Sequence, residues 1–451
     1  PYKFIYTLQD PTTMPAVTER IISCLRNRGS DTVFFAVATV TGLIAGAGAW
    51  LLKFLIADVS EMLTSHFVNG DIHCALLALP MVGIVLASAY QRFIIHRDIS
   101  HGVERIQRYL NERQYRISSE MLFSPIASSV LTLGFGGSAG SEGPIATTGA
   151  AIGSNLSRRM GLPESSVGLM VAIGAGAGIA GIFKAPVGGI LFSLEVLGMA
   201  MNTTAVLALA CSCLAASLTA NILSGFKVAV AFSGTTPSGA GEAAAAIVLG
   251  LFCGFYSIIY AGAMRSTRRR LESISKRWLR NIIAGTVLAV AVFIFPSLFG
   301  EGYGVIGKVI NGDTSAMAAA SPLTELRLDS GWLVLAVTAG VALVKGIAMS
   351  ATTSGGGVAG DFAPTLFAGC AAGLIFAMVA NMMPGVHLPP GNFALYGMAA
   401  TMAGALKAPL MAIFLVTEMT ASFAYILPVA IGAGMAYGIV RIADAFIRPN
   451  K

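Results

Sequence analysis

The chain has 451 residues, 55% of them hydrophobic and 11% charged, with a mean hydropathy of +0.76 and a formal net charge of +7. A soluble domain carries about 25% charged residues, so the composition argues against a soluble enzyme and for a polytopic membrane protein. Six cysteines without CxxC spacing, and five histidines not grouped with them, argue against structural zinc and a disulfide framework.

Pro1 to Ser30 is polar and carries Arg20, Arg26 and Arg28, unlike a cleavable signal; a short amphipathic helix on the cytoplasmic surface is expected around Arg20. Apolar segments follow at Val33–Ile56, Ala75–Ile95, Thr204–Leu223, Ala243–Ala263, Ile282–Pro296, Trp332–Met349, Phe362–Met382 and Tyr425–Ile442. Crossing a bilayer takes about 20 apolar residues; several of these suffice and others fall short. Seven Lys or Arg residues lie within Arg265–Arg280, and Arg92, Arg97, Arg105, Arg108, Arg113 and Arg116 form a second basic group. By the positive-inside rule both mark the cytoplasmic side, a better account than a nucleic-acid site. His66–His73, which has no Lys or Arg, then faces outward. Both termini are expected in the cytoplasm, with the protein in a cell membrane, plasma or inner.

An internal repeat organises the chain. AGIFKAPVGGILFSLEV (Ala180–Val196) aligns with AGALKAPLMAIFLVTEM (Ala403–Met419) with seven of seventeen positions identical, among them Lys184 with Lys407, Pro186 with Pro409 and Glu195 with Glu418. GGSAGSEGP (Gly136–Pro144) aligns more weakly, in the same order, with GGVAGDFAP (Gly356–Pro364). Such repeats are a mark of transporter and channel folds, often inverted across the membrane. The expected division is 1–30 as an N-terminal cytoplasmic segment, 31–223 and 243–446 as two repeats, 224–242 as a Gly/Ser-rich linker and 447–451 as a tail. Together these form one all-α membrane domain with broken, partly short helices. The repeated Lys and Glu residues, costly in a membrane, are expected in matched structural roles such as helix-end bonding.

Both glycine-rich stretches would sit badly in a lipid-facing helix; at membrane depth irregular backbone survives only inside protein or along a wet cavity. Gly136 to Gly140 allow unusual backbone angles, and Pro144 suits a first helical turn. Glu142 is therefore expected at a helix N-terminus, and a second helix is expected to start near Phe362. A helix start offers free N–H groups and about half a positive charge, a ready anion site. Two starts converging from two repeats would hold a small anion weakly enough to release it. Gly136, Ser138 and Gly140 also satisfy G-x-S-x-G, but only His387 follows as a histidine and no strand-to-helix turn is indicated, so esterase chemistry loses. GAGIAG (Gly176–Gly181) is better read as close helix packing than as a dinucleotide motif.

At these residues the chain resembles the CLC family of chloride channels and chloride/proton antiporters. Gly140-Ser141-Glu142-Gly143-Pro144 matches the family's Gly-(Lys/Arg)-Glu-Gly-Pro in four of five positions, and Gly360-Asp361-Phe362-Ala363-Pro364 matches its Gly-x-Phe-x-Pro element. LFSLEV (Leu191–Val196) and TEM (Thr417–Met419) are similar to further family segments. The resemblance spans about Val33 to Ile447. It implies a homodimer with one anion path per subunit, chloride as the transported ligand, and no catalytic residue, cofactor or metal. Glu142 corresponds to the gating glutamate, whose carboxylate imitates the anion it excludes. Anion contacts are implied for His101, Gly102, Gly140, Ser141, Gly143, Asp361, Phe362 and Ala363.

The chain departs from the family at four points. Ser100–Glu104 stands for Gly-Ser-Gly-x-Pro, placing His101 at the anion-contacting serine. Ser141 replaces the usual basic residue. Asp361 adds an acid, whose side chain is expected to turn away while its N–H serves the anion. Val196 stands where antiporters typically carry a proton-relaying glutamate. No residue matches the family's central tyrosine, since Tyr437 comes too early. Val196 favours a passive chloride channel, gated by Glu142, over a chloride/proton antiporter; a fluoride/proton exchanger and an organic-anion transporter are lesser alternatives.

Overall fold

A computed structural model describes residues 30–65, 73–99, 102–235, 237, 239–325 and 330–447. The Arg20 region, nearly all of the His66–His73 loop, Ser100, His101 and residues 448–451 lie outside the described residues. Among the described residues there are sixteen α-helices and no strands. The first eight are α1 (Ser30–Ser65), α2 (His73–Tyr90), α3 (Gly102–Asn111), α4 (Ser124–Leu133), α5 (Glu142–Arg159), α6 (Glu164–Phe183), α7 (Pro186–Leu191) and α8 (Thr203–Leu223). The second eight are α9 (Ala240–Glu272), α10 (Arg277–Ile294), α11 (Tyr303–Ile310), α12 (Ser330–Ser354), α13 (Phe362–Ala380), α14 (Pro390–Leu406), α15 (Pro409–Met419) and α16 (Ile426–Ile447). The fold is all-α, with two inverted-topology repeats whose glycine-rich starts fall at α5 and α13 and whose Lys-Ala-Pro elements fall at α7 and α15.

Nine of the described helices are long and apolar enough to cross a membrane. The apolar segments read from the sequence omit one of them, α6, whose residues are mostly small. It is a core helix: 89% of its apolar window is buried in protein, against 39% for α8. Small residues permit that placement. A Cβ added at Gly149 of α5 would lie 2.0 Å from the Gly174 carbonyl oxygen of α6, and one at Gly174 would lie 2.1 Å from that of Gly149. The second repeat does the same, a Cβ at Gly373 of α13 falling 2.0 Å from the Phe393 carbonyl of α14. Backbones this close gain dispersion contacts, which carry helix association in lipid.

The repeated acids cap helices reciprocally. Glu195, in the π-turn Phe192–Val196 that ends α7, accepts from the N–H groups of Leu410 (3.2 Å) and Met411 (2.8 Å) at the start of α15. Glu418, near the end of α15, accepts from Val187 (3.1 Å) and Gly188 (2.8 Å) at the start of α7. Each carboxylate thus satisfies orphan donors and meets the positive helix end. Lys184 and Lys407 both close their helices in the left-handed region, φ 58° and 59°. Lys184 donates to the Ser224 hydroxyl (2.6 Å) and the Lys227 carbonyl, and Lys407 pairs with Asp444 at 2.5 Å.

Candidate anion path

The two glycine-rich stretches meet backbone to backbone. Gly140 N–H donates to the Gly360 carbonyl (2.9 Å), and Gly360 N–H donates back to Gly140 (2.6 Å). Ser141 and Asp361 are the N-cap residues of α5 and α13, so both helices start from this bridge. A third start joins them: a Cβ on Gly102, first residue of α3, would lie 2.5 Å from the Gly143 carbonyl oxygen. Gly102, Glu142 and Phe362 therefore bring three helix N-termini together, while His101 lies outside the described residues.

Glu142 is fully buried. Its Oε1 accepts from the Tyr303 hydroxyl at 2.8 Å, and its Oε2 is buried without a hydrogen-bond partner. The carboxyl folds over Gly140, where a Cβ would stand 1.9 Å from Oε2; only glycine leaves that space. Tyr303 packs edge-on against Phe183, with ring centroids 6.5 Å apart, and Lys53 of α1 lies 4.2 Å above its ring. Lys53 also pairs with Glu301 at 2.7 Å, and the other oxygen of Glu301 accepts from Ser141 N–H (3.0 Å) and Ser141 Oγ (2.6 Å). Deeper, the fully buried Lys345 of α12 donates to Ser138 Oγ at 2.9 Å and sits 4.7 Å over the Phe367 ring. Ser138, whose N–H donates to Thr352, is thus a support for a buried cation. Charges at membrane depth are costly unless paired; here two lysines and two acids share one neighbourhood.

Two cavities adjoin the Glu142 region, called outer and inner after the orientation expected from the charge pattern; Tyr303, which holds Glu142, lines the first, and Gly143 the second. The outer, of about 450 Å³, is lined by Trp50, Lys53, Lys184, Glu301 and Tyr303 among others. The inner, of about 210 Å³, is bounded by Gly102, Gly143 and Gly360 and receives Tyr260, Asp361 and Thr365. Arg265 and Arg268 stand at its mouth, where Arg268 forms a two-bond ion pair with Glu104, 2.6 and 3.0 Å. Asp361 is among the residues lining this cavity. Tyr260 of α9 is 2% exposed, and its hydroxyl faces Thr365 without a hydrogen bond of good geometry. Phe362 packs on Phe192 of the π-turn after α7, 5.7 Å between centroids, and Ala363 lies across the bridge from Gly140. Val196 brings no carboxyl; its carbonyl accepts from Gln107 at 2.8 Å. Among the described residues no cluster of metal-binding side chains occurs.

Sequence reasoning reached the helix starts and missed Tyr303, Glu301, Lys53, Lys345 and Tyr260. Lys53 and Lys345 carried a signal, a single cation inside an otherwise apolar helix; the others carried none.

The arrangement is that of an anion conductor: convergent helix starts, a carboxyl among them and two adjoining cavities. The family model described as voltage gated chloride channel matches residues 82–441. The chain belongs to this family, the CLC proteins, and its function is anion transport across a membrane. It is 28% identical over 369 residues to a putative chloride channel protein ClcB-like of Ralstonia nicotianae, covering 80% of this chain and 82% of the relative. It is 29% identical over 414 residues to the H(+)/Cl(-) exchange transporter ClcA of Klebsiella pneumoniae, covering 88% and 82%. Among solved structures, a slow cyanobacterial Cl-/H+ antiporter superposes with a TM-score of 0.76 at 20% identity, covering 91% of this chain and 94% of that one. A CLC-type fluoride/proton antiporter gives 0.74 at 22%, covering 91% and 96%.

Proposed function

We propose that the protein exchanges chloride for protons through a path gated by Glu142, with one path in each subunit of a homodimer. The observation that carries the reading is the Glu142 carboxyl, buried beside two cavities at a helix start, with one oxygen held and the other free of partners. As a carboxylate it takes the place of an anion beside the α5 and α13 N-termini. A proton removes its charge, the carboxyl gives way, and chloride occupies the helix starts; return of the carboxylate expels chloride and surrenders the proton. Gly102, Gly140, Ser141, Gly143, Asp361, Phe362 and Ala363 contribute the surrounding backbone, and the Tyr260 hydroxyl lies on the inner side beside Thr365.

Val196 favours a channel on sequence grounds, but the named relatives include exchange transporters, which weighs toward coupling. Asp361 and Glu104 bring carboxyls to the inner cavity by another route. The basic Arg265–Arg280 segment beside the inner cavity favours a cytoplasmic placement of that face, with the repeats joined through 224–242.

Reconstitution with simultaneous chloride and proton recording tests the reading. A chloride gradient should drive protons uphill, and Glu142→Gln should abolish proton movement while chloride still passes. Chloride uptake should rise as pH falls in the wild type and lose that dependence in Glu142→Gln. A reversal potential set by chloride alone, unmoved by a pH gradient, would instead establish the passive channel.

A further inference from the structure

We propose that Lys53 and the N–H and hydroxyl of Ser141 form a second anion site, at the outer mouth of the path, filled in this conformation by the chain's own Glu301 carboxylate. The proposal rests on the reading that the path carries chloride. Three donors of different kinds converge on Glu301: the Lys53 ammonium at 2.7 Å, the Ser141 amide at 3.0 Å and the Ser141 hydroxyl at 2.6 Å. None of them demands a planar ligand, and an ammonium beside one carboxylate oxygen with an amide N–H and a hydroxyl beside the other suits a halide in place of the carboxylate. The amide belongs to the cap of the helix that carries Glu142, so the two sites stand in series.

Glu301 is mounted to leave. It lies between Gly300 and Gly302, both in the left-handed region at φ 69° and 87°, and nothing stands within 4 Å of a Cβ built on Gly300. The 450 Å³ cavity it lines gives its side chain room. The pair is only part-buried, with side chains 31% and 11% exposed for Lys53 and Glu301, so water and ions reach it. The charged and titratable groups around Glu301 are Lys53 from α1, Lys184 at the end of α6, Glu142 from α5, Tyr303 from α11 and Lys345 from α12. When Glu301 swings out, Lys53 and Ser141 hold an incoming chloride one step short of the Glu142 gate. Lys53 thereby restores the positive charge that Ser141 removed from the gate motif.

Calorimetric titration of the purified full chain with chloride tests this. Glu301→Gln should bind chloride at least about threefold more tightly than wild type, the scale of a part-exposed ion pair, and adding Lys53→Met should cancel the gain. Glu301→Asp, which keeps the charge but falls short of Ser141, should also tighten binding and serves if Glu301→Gln does not fold. Unchanged binding in both single variants, or a gain that survives Lys53→Met, overturns the site. If the wild type still moves chloride in liposomes, only this site falls; if it neither binds nor moves chloride, the functional reading falls with it.

Discussion

Tyr303→Phe isolates the hold on the gate. The phenylalanine ring keeps the edge contact with Phe183 and the face under Lys53, and removes only the 2.8 Å hydrogen bond to Glu142 Oε1. Because Oε2 already lacks a partner, the buried carboxylate then has no side-chain donor on either oxygen. A hydrogen bond to a charged group is worth about 1.5–3 kcal/mol. At about 1.4 kcal/mol per tenfold, the balance between the held and released carboxyl moves by roughly 10- to 100-fold toward release. Chloride efflux from liposomes, followed with a chloride electrode, should therefore speed up per molecule of protein, and fewer protons should move per chloride as the carboxyl leaves its place unprotonated more often. The melting temperature in detergent should fall by no more than the loss of this one bond, since no packing atom is lost. Unchanged flux and unchanged coupling in Tyr303→Phe, alongside a clear effect of Glu142→Gln, would refute the argument that Tyr303 sets the gate.

Tyr260→Phe should raise the half-saturating chloride concentration about two- to tenfold, from about 0.5–1.5 kcal/mol for a lost neutral hydrogen bond; equal affinities would remove it from the path. Glu418→Ala leaves the Val187 and Gly188 N–H groups without their acceptor, at about 1–3 kcal/mol each if they stay dry, and should lower the melting temperature more than Glu418→Gln. Gly373→Ala places a methyl 2.0 Å from a buried carbonyl oxygen and should destabilise by about 1–3 kcal/mol or more, whereas Gly434→Ala, with open space around its Cβ, should not. Thermal unfolding of the two glycine variants in one detergent gives the comparison.

What was legible in the sequence is what the backbone itself requires. Gly140, Gly360 and Pro144 announce broken helices because no other residue types suit those positions, and Glu142 stands out because a lone carboxylate among glycines needs a cation or a helix start. The repeat could be read because Lys184 and Lys407, and Glu195 and Glu418, recur with their prolines; that each acid caps the other repeat's helix could not, since those bonds cross 215 to 231 residues. The immediate partners of the gate lie equally far off, Tyr303 161 residues from Glu142 and Glu301 160 from Ser141. Local sequence therefore defines where an anion can be bound, while long-range packing decides how firmly the carboxyl holds that place. Val196 illustrates the consequence. A single position weighed in isolation points to a channel; under the proposed exchange, coupling instead depends on how often Glu142 releases without a proton, which the hold of Tyr303 on its carboxyl would govern, and Tyr303 belongs to no motif.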